Sequence, residues 1–525
     1  MLLMNRVFGS KHSCPPQLKE VMADILKKCH GLPLAIITIA SLLASEESSR
    51  KRWESIRDSL RHQFAENSTL EEMKSILNLS YMHLPGRLRA CFLYLDLDDV
   101  GRSYFNELIN RSMIQPCKTT YGEVLSCRVH DIMLDFILSR CDRDNFISVA
   151  YNYEDMKRLH GNKYKVRRLS VRSMAGSETT YDPRIVLSLS QVRSFTLLGN
   201  SMPPILLFKY LRVFRINAPR GSLKRLDLTA ISQLFQLRYL YISGPDFVQV
   251  PAELQGLVYL EMLDIHDVTM EEMLPQWIGN MKSLRCLIVW RNELTNQRKV
   301  NVMKVIMGLG GLTNLKELKI KVGFLERPEL DALACSIGKL HNLKNLQIDG
   351  ITDEKYQLGS LSNPFQRIEH FHGKLWNFGR VPIWMGGLHC LRILNLCVVD
   401  TSTEEFHLLG ELPSLVELHF SAQFIPKERA ILSTGLFPVL EHFTFLSGED
   451  VMAYLGFEAG VMPNLQTLNI CFIKEWGGSI PVGMEHLLRL QKIHMFGPCS
   501  HDATVSAVRK VVSTNPNHPS VKYWY

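Results

Sequence analysis

A phosphate cradle needs consecutive backbone N–H groups, a lysine for the β- and γ-phosphates and a hydroxyl for Mg²⁺, spaced as G-x-x-x-x-G-K-[S/T]. No such run occurs in this chain. Glycine precedes lysine only at Gly338-Lys339-Leu340 and Gly373-Lys374-Leu375, and neither lysine is followed by Ser or Thr. Leu93-Tyr94-Leu95-Asp96-Leu97-Asp98-Asp99-Val100 puts an acidic pair after an apolar run, which is the residue type and order that can hold Mg²⁺. The histidines form no H-E-x-x-H, and the 12 cysteines include no C-x-x-C, so the sequence supports no metal site. Two short segments remain. Gly31-Leu32-Pro33 reads as a turn between helices, and Val129-His130-Asp131 as a strand end meeting a helix N-cap, a cap being worth about 1 kcal/mol. Aromatic and charged side chains at alternate positions of a repeated pattern are far more abundant. That chemistry is recognition, not bond-making.

The pattern is L-x-x-L-x-L with apolar substitutions. It starts at Val166, Val192, Leu211, Leu237, Leu260, Leu284, Leu315, Leu343, Ile368, Leu391, Leu415, Leu440, Leu465 and Leu490. The average interval, roughly 25 residues, lies inside the leucine-rich-repeat window. The expected fold class is therefore α/β: a leucine-rich-repeat solenoid of about 14 repeats, preceded by a small, mainly helical region. In such a strand the second and third apolar positions point inward and their neighbours line the concave face. That rule exposes Tyr239, Tyr241, Asp264, His266, Ile288, Trp290, Glu317, Lys319, Lys321, Gln347, Asp349, Asn395, Glu417, His419, Asn469 and His494. Tyr239, Tyr241, His266, Trp290, Lys319, Asp349 and His419 are the candidate partner-binding residues, since aromatics mixed with charge suit a protein partner. The same aromatics could instead pack on one another or on an adjacent domain.

Pro251, Pro275, Pro382 and Pro481 each lie nine residues before a repeat start, with apolar residues every third position after them. A proline in the first turn of a short helix or 3₁₀ segment fits that spacing. The longer intervals after Leu284 and Leu315 predict extra loops near Asn292–Val302 and Gly323–Leu333. The asparagine expected eight residues after each start, as at Asn292, does not recur regularly, which predicts uneven curvature.

Composition narrows the partners. Lys+Arg number 60 against 52 Asp+Glu, a formal charge of +8, and the surplus sits mostly after residue 150. Spread over that length it is mild, so nucleic acid is not an expected partner. The longest apolar stretch, Pro33 to Ala44, is too short for a transmembrane segment, and Met1–Ser10 carries no secretory signal. Scattered cysteines fit free thiols in a reducing compartment, so a cytoplasmic location is expected.

The first 150 residues are helical. Leu18, Val21, Met22, Ile25 and Cys29 share one helix face, Trp53, Ile56 and Leu60 another, and Ser68–Glu71 has capping-box spacing before Met73, Ile76, Leu77 and Tyr81. Val124–Val129 can form a strand ahead of a helix over Asp131–Arg140. Three segments here carry a resemblance. Cys29-His30-Gly31-Leu32-Pro33-Leu34-Ala35 resembles the G-L-P-L motif of plant NB-ARC disease resistance proteins. Leu79–Pro85 followed by Arg89–Tyr94 resembles their L-S-Y-x-x-L-P…K-x-C-F-L-Y segment, and Val129-His130-Asp131 stands where they have M-H-D.

With the repeats that follow, the chain resembles an N-terminally truncated coiled-coil-type NLR of grasses over essentially its whole length. The resemblance implies domains at 1–70 (the C-terminal helical part of NB-ARC), 71–150 (an incomplete winged-helix-like subdomain) and 151–525 (the repeats). It implies Pro33 as an adenine-side contact and His130 as a contact to the β-phosphate of ADP, both depending on a nucleotide pocket whose other half this sequence lacks. The Mg²⁺ motif of the family precedes G-L-P-L, whereas Asp98-Asp99 follows it. No cofactor is therefore expected, or ADP only if another chain completes the pocket. The expected role is a non-enzymatic, immune-receptor-like protein acting in defence through its repeats. The alternative is a nucleotide-binding switch. Expected partners are a pathogen effector, a host protein or another NLR chain.

Overall fold

In the computed structural model the described residues are 2–8, 15–29, 33–45, 50–63, 76–77, 106–111, 113–120, 123–130, 133–137, 139, 147–151, 155, 166–172, 189–199, 203–270, 276–290, 302–351, 365–426, 428–447, 454–472, 482–496 and 512–524. They form two compact units, Met1–Ser148 and Val149–Tyr525.

The first unit opens with helices Leu2–Phe8, Pro16–Lys28, Pro33–Ser45 and Arg50–Gln63. Leu18, Val21, Ile25 and Cys29 are buried along one helix, with Ala35, Ile39, Ala40, Leu42, Leu43, Trp53, Ile56 and Ile76 around them. A second cluster gathers Leu77, Leu108, Met113, Ile114, Met133 and Phe136. An antiparallel hairpin, Gln115–Thr120 with Glu123–Arg128, adjoins it in sequence, where only the second strand was legible from spacing. Residues 133–137 are helical.

The second unit is the solenoid. A sixteen-stranded sheet runs from Ser148–Ala150 to Ser520–Trp524. Each of the fourteen expected starts leads into one strand, and the two end strands lie outside the pattern. The last was hidden because His518 occupies the leading apolar position, although Val521 and Tyr523 keep the register of Ile493 and Met495. In the strand Tyr239–Ser243, Leu240 and Ile242 are buried and Tyr239 and Tyr241 half-buried, as a period of two requires. Toward the C-terminus the interior turns aromatic: Phe406 lies 5.1 Å from Phe420 and 5.9 Å from Phe445, ring centre to ring centre.

The returns differ from expectation in two respects. Pro251 and Pro382 do not sit in the first turn, and Pro275 and Pro481 lie outside the described residues. Pro251 and Pro382 cap the 3₁₀ segments Ala252–Gly256 and Ile383–Gly387 with extended ψ of 152° and 133°, and their carbonyls accept the first hydrogen bonds, from Leu254 and Met385. Extended backbone is what lets the chain leave the preceding strand before coiling. In the longer repeats the α-helix Arg327–Ile337 occupies most of the stretch Gly323–Leu333 where a loop was expected, and the α-helix Val302–Leu309 begins where the other expected loop ends. An α-helix rises about 1.5 Å per residue against about 2.0 Å in a 3₁₀ helix, so it stores more residues over the same span. The expected loop at 292–301 lies outside the described residues. Side sheets the spacing did not reveal, Arg225–Leu226 with Phe247–Val248 and Thr269–Met270, and Ala430–Leu432 with Leu455–Phe457, supply backbone pairing between repeats where an asparagine ladder is lacking.

Gly244 closes the strand Tyr239–Ser243 at a φ of 97°, and a Cβ there would stand 1.7 Å from the Ala218 carbonyl oxygen of the preceding repeat. We expect Gly244→Ala to lower stability by roughly 1–3 kcal/mol, read as a reduced melting temperature, because strain and a backbone clash act together. An unchanged melting temperature would show that the turn relaxes freely.

Candidate functional site

Parallel pairing in register aligns the concave side chains into rows. The central row reads Ser170, Thr196, Arg215, Tyr241, Asp264, Ile288, Lys319, Gln347, then His372, Asn395, His419, Thr444, Asn469, His494 and Lys522. Neighbouring rows place Tyr239 opposite Met262, Trp290 opposite His266, and Asp349 opposite Lys321. Adjacent strands lie about 4.8 Å apart, so each row is a nearly continuous strip.

One stretch of the row is a connected network. The Arg215 guanidinium lies 4.3 Å from the centre of the Tyr241 ring. Such a contact is worth about 0.5–2 kcal/mol, depending on how dry it is. Tyr241 Oη is 3.2 Å from His266 Nε2, and His266 Nδ1 is 2.7 Å from Asp264 Oδ1. The rings of Tyr241 and His266 meet edge-on at 5.0 Å. Asp264 is buried, while Arg215 stays exposed and Tyr241, His266 and Trp290 half-buried. The hydrogen bond that Asp264 accepts holds His266 above the usual imidazole range, against the opposing pull of desolvation. Burial raises the Tyr241 phenol, keeping it protonated.

The network therefore has two donor patterns. With His266 protonated, Nδ1–H donates to Asp264 and Nε2–H to Tyr241 Oη, leaving the phenol proton for a partner. With His266 neutral and its proton on Nδ1, Tyr241 O–H donates to Nε2, and the phenol can only accept from a partner.

The other candidates fall elsewhere on the same face. Lys319 pairs with Glu317 at 2.6 Å, and Glu317 accepts a 3.5 Å hydrogen bond from the Cys286 thiol. His419 Nε2 contacts Glu417 Oε1. Spacing exposed Asp264 and Glu417 on the concave surface, but both are buried, each covered by the histidine two residues on along its strand. Arg215 escaped the sequence list although it obeys the same alternation one repeat earlier. Tyr239 and Asp349 are half-buried on the concave strands, apart from the Arg215–Asp264 network.

The family-derived pair is described only in part. Pro33 begins the helix Pro33–Ser45, and its side chain lies outside the described residues. His130 is exposed, and its carbonyl accepts a 2.8 Å bond from the Leu134 N–H as the helical residues begin. The segment Leu93–Val100 lies outside the described residues. Every described cysteine is a free thiol, and burial lifts Cys29 and Cys471 to about 11 and Cys286 higher still, so these three are poor nucleophiles. No described helix is long and apolar enough to cross a membrane.

Comparison with known proteins places this geometry. Residues 191–521 match a leucine-rich repeat region, and residues 94–137 match the winged helix domain of disease resistance proteins. The chain is 33% identical to Disease resistance protein RGA5 of Oryza sativa subsp. japonica, over 98% of this chain and 52% of that protein. It is 25% identical to Disease resistance protein Pik-2 of the same species, over 96% of this chain and 59% of the relative. The chain thus spans about half the length of the curated relatives it matches. Among solved structures, a TDR receptor aligns with a TM-score of 0.45 at 16% identity, over 72% of this chain and 65% of that one.

The His266 environment yields a signed expectation. A raised imidazole pKa means that its pairing contributes fully below the unfolded value of about 6.5 and is lost as pH rises through the folded value. We expect the His266 ring protons to titrate by NMR above the usual imidazole value. Asp264→Asn removes the principal raising contact while desolvation remains, so the midpoint should drop. Identical midpoints in the two proteins would show that Asp264 does not hold the ring.

Proposed function

The chain belongs to the plant NLR disease resistance proteins, and from that premise we propose that it acts in defence by binding a protein partner on the concave face of its repeats, with the Arg215–Tyr241–His266–Asp264 network and Trp290 at the centre. The network is the observation that carries this reading. Interfaces concentrate their energy in aromatic and arginine side chains held in place before the partner arrives. Here Tyr241 is clamped between a guanidinium and an imidazole, so little side-chain entropy remains to be lost on binding. Trp290, one strand beyond His266, extends the aromatic surface.

The partner in this proposal is a pathogen effector or a host protein, met in the cytoplasm, and the chain performs no catalysis. Nucleotide hydrolysis is assigned no part, because no phosphate-cradling lysine can be named in this sequence. Another NLR chain that does carry a phosphate loop is a further candidate partner for residues 1–150.

Two measurements test the proposal. A photo-crosslinking residue at Lys319 should capture a partner in challenged tissue, and one at the exposed convex Ile383 should not. With that partner purified, Tyr241→Ala combined with Trp290→Ala should weaken binding by roughly 2 kcal/mol or more, about 30-fold in Kd. Undiminished affinity in the double variant would remove the concave patch from the proposal. For the nucleotide, calorimetry of the whole chain with ADP and Mg²⁺ should give no binding heat. Micromolar binding lost on His130→Ala would favour a nucleotide switch instead.

A further inference from the structure

We propose that the lateral edge of the first repeats is a second docking site, a groove for an extended acidic peptide segment that also carries apolar side chains. The groove has a volume of about 410 Å³ and is lined by Arg167, Gln191, Arg193, Tyr210, Arg212 and Gln236. It lies beside the concave strands, not on them, because the arginines fill the position just ahead of each strand.

Backbone bonding stacks the three arginines in a row. The Arg193 N–H donates to the Arg167 carbonyl and the Arg212 N–H to the Arg193 carbonyl, each at 2.7 Å. All three side chains are exposed, and none makes an ion pair among the described residues. No carboxylate lines the groove. This changes at the next repeat. Arg238 continues the row but is bound to Glu261 at 2.9 Å, and Glu261 also faces Arg285 at 3.8 Å. Arg285, Lys316 and Lys344 then continue the row, and Lys344 pairs with Glu369 at 3.0 Å. The run of three successive exposed arginines without an ion pair among the described residues lies in the first three repeats.

The chemistry of the neighbouring rows selects the ligand. Two positions back along the chain stand Gln191, Tyr210, Gln236 and Tyr259, and three back Phe235 and Val258. Tyr210, Phe235, Val258 and Tyr259 are all substantially exposed, Phe235 by 55% and Val258 by 64%. Along this edge the charged groove is thus followed, one and two repeats on, by exposed apolar surface. A compact phosphate would satisfy the guanidinium groups and leave the apolar strip uncovered. An extended peptide covers both. At about 3.3 Å per residue, acids three residues apart span about 10 Å, which is two strand spacings and the reach from Arg167 to Arg212. Arginine's planar fork then receives each carboxylate through two N–H donors.

The test uses the whole chain and fluorescence anisotropy. The probe is a labelled twelve-residue peptide with aspartates at every third position and phenylalanine and leucine toward one end. Its counterpart carries lysine at the aspartate positions. The acidic probe should bind, with affinity falling as salt rises, and the lysine probe should not. Arg193→Glu with Arg212→Glu should weaken the acidic probe at least about ten-fold, since reversed charge meets the same carboxylates. Arg193→Gln with Arg212→Gln reads the same loss should the reversed pair unfold the edge, a point circular dichroism checks. Phe235→Ser with Tyr259→Ser should also weaken binding, whereas Tyr241→Ala with Trp290→Ala should leave it intact, separating this groove from the concave face. Equal binding of the two probes overturns the proposal, as does unchanged binding in both arginine variants. Displacement of the probe by tripolyphosphate, combined with indifference to the Phe235 and Tyr259 changes, would mark a small-anion site and overturn the peptide assignment.

Discussion

One backbone contact recurs through the whole repeat unit and fixes everything built on it. In each repeat, the residue after the leading apolar position donates its N–H to the carbonyl of its counterpart one repeat earlier. The series runs from Arg193 to Arg167 through to Gln491 to Gln466, all at 2.7–2.9 Å. A solenoid strand has no hairpin partner to set its register, so this ladder does so. A slip of one residue would turn every inward leucine outward. Variation in repeat length is accordingly absorbed on the returning side, by a five-residue 3₁₀ segment in one repeat and an eleven-residue α-helix in another. The strands stay aligned whatever the return does, and a binding row can therefore be read across repeats as though it were one surface.

Fixed register also explains the concave electrostatics. Residues two apart on a strand share a face about 6.6 Å apart, close enough for a base to fold over an acid. That geometry recurs at Asp264–His266, Glu317–Lys319 and Glu417–His419. In the two histidine pairs the acid is buried beneath the base, which brings a hydrogen-bonding tip to the surface with a compensating carboxylate below. Exposed ion pairs contribute little stability, about 0–1 kcal/mol, so their more important effect is orientation. A histidine whose Nδ1 is held by Asp264 has its ring plane and the direction of its Nε2 fixed. Tyr241 is fixed in turn. The concave face is thus rich in ionisable groups yet has little free charge at its centre, and a partner there is selected by hydrogen-bond direction and aromatic fit.

The repeats were legible because the leucine positions are dictated by an interior that has room for little else. Leu240, Leu263, Leu287, Leu318 and Leu346 are all essentially inaccessible, and each could be placed from spacing alone. Concave side chains followed from the same alternation. What spacing could not give was depth: Asp264 and Glu417 share the alternation of their neighbours, and only the histidine lying over each removes it from solvent. The last strand was missed for a comparable reason, since His518 breaks the pattern while the backbone ladder continues through Ser520 to Gln491. Returns were the least legible part. Loop, 3₁₀ segment and α-helix satisfy the same apolar spacing, and the choice among them depends on how many residues must fit between two strands already fixed. The glutamates of the Arg327–Ile337 helix illustrate the signal that was available. Glu329 accepts a 3.0 Å bond from the Glu326 N–H, the reciprocal half of a capping box spelled with glutamate in place of serine.

The edge and the face differ in the range over which they act, and that difference gives their combination a physical sense. Charge left uncompensated attracts over roughly the Debye length, about 8 Å at physiological salt, and mainly speeds encounter. Hydrogen bonds and ring contacts act only on touching and mainly slow departure. The ladder that places Arg167, Arg193 and Arg212 in one row also sets Arg215, Tyr241 and Asp264 in another, three positions further along each repeat. Long-range attraction and short-range selection therefore occupy one rigid element, with no linker or moving part between them. Glu261 interrupts the basic row. By binding Arg238 and facing Arg285, it does so just ahead of the strand that carries the Asp264–His266 pair. A substitution at Glu261 would extend the basic row alongside the recognition network and blur that separation, even though its side chain touches neither tyrosine nor histidine in the network.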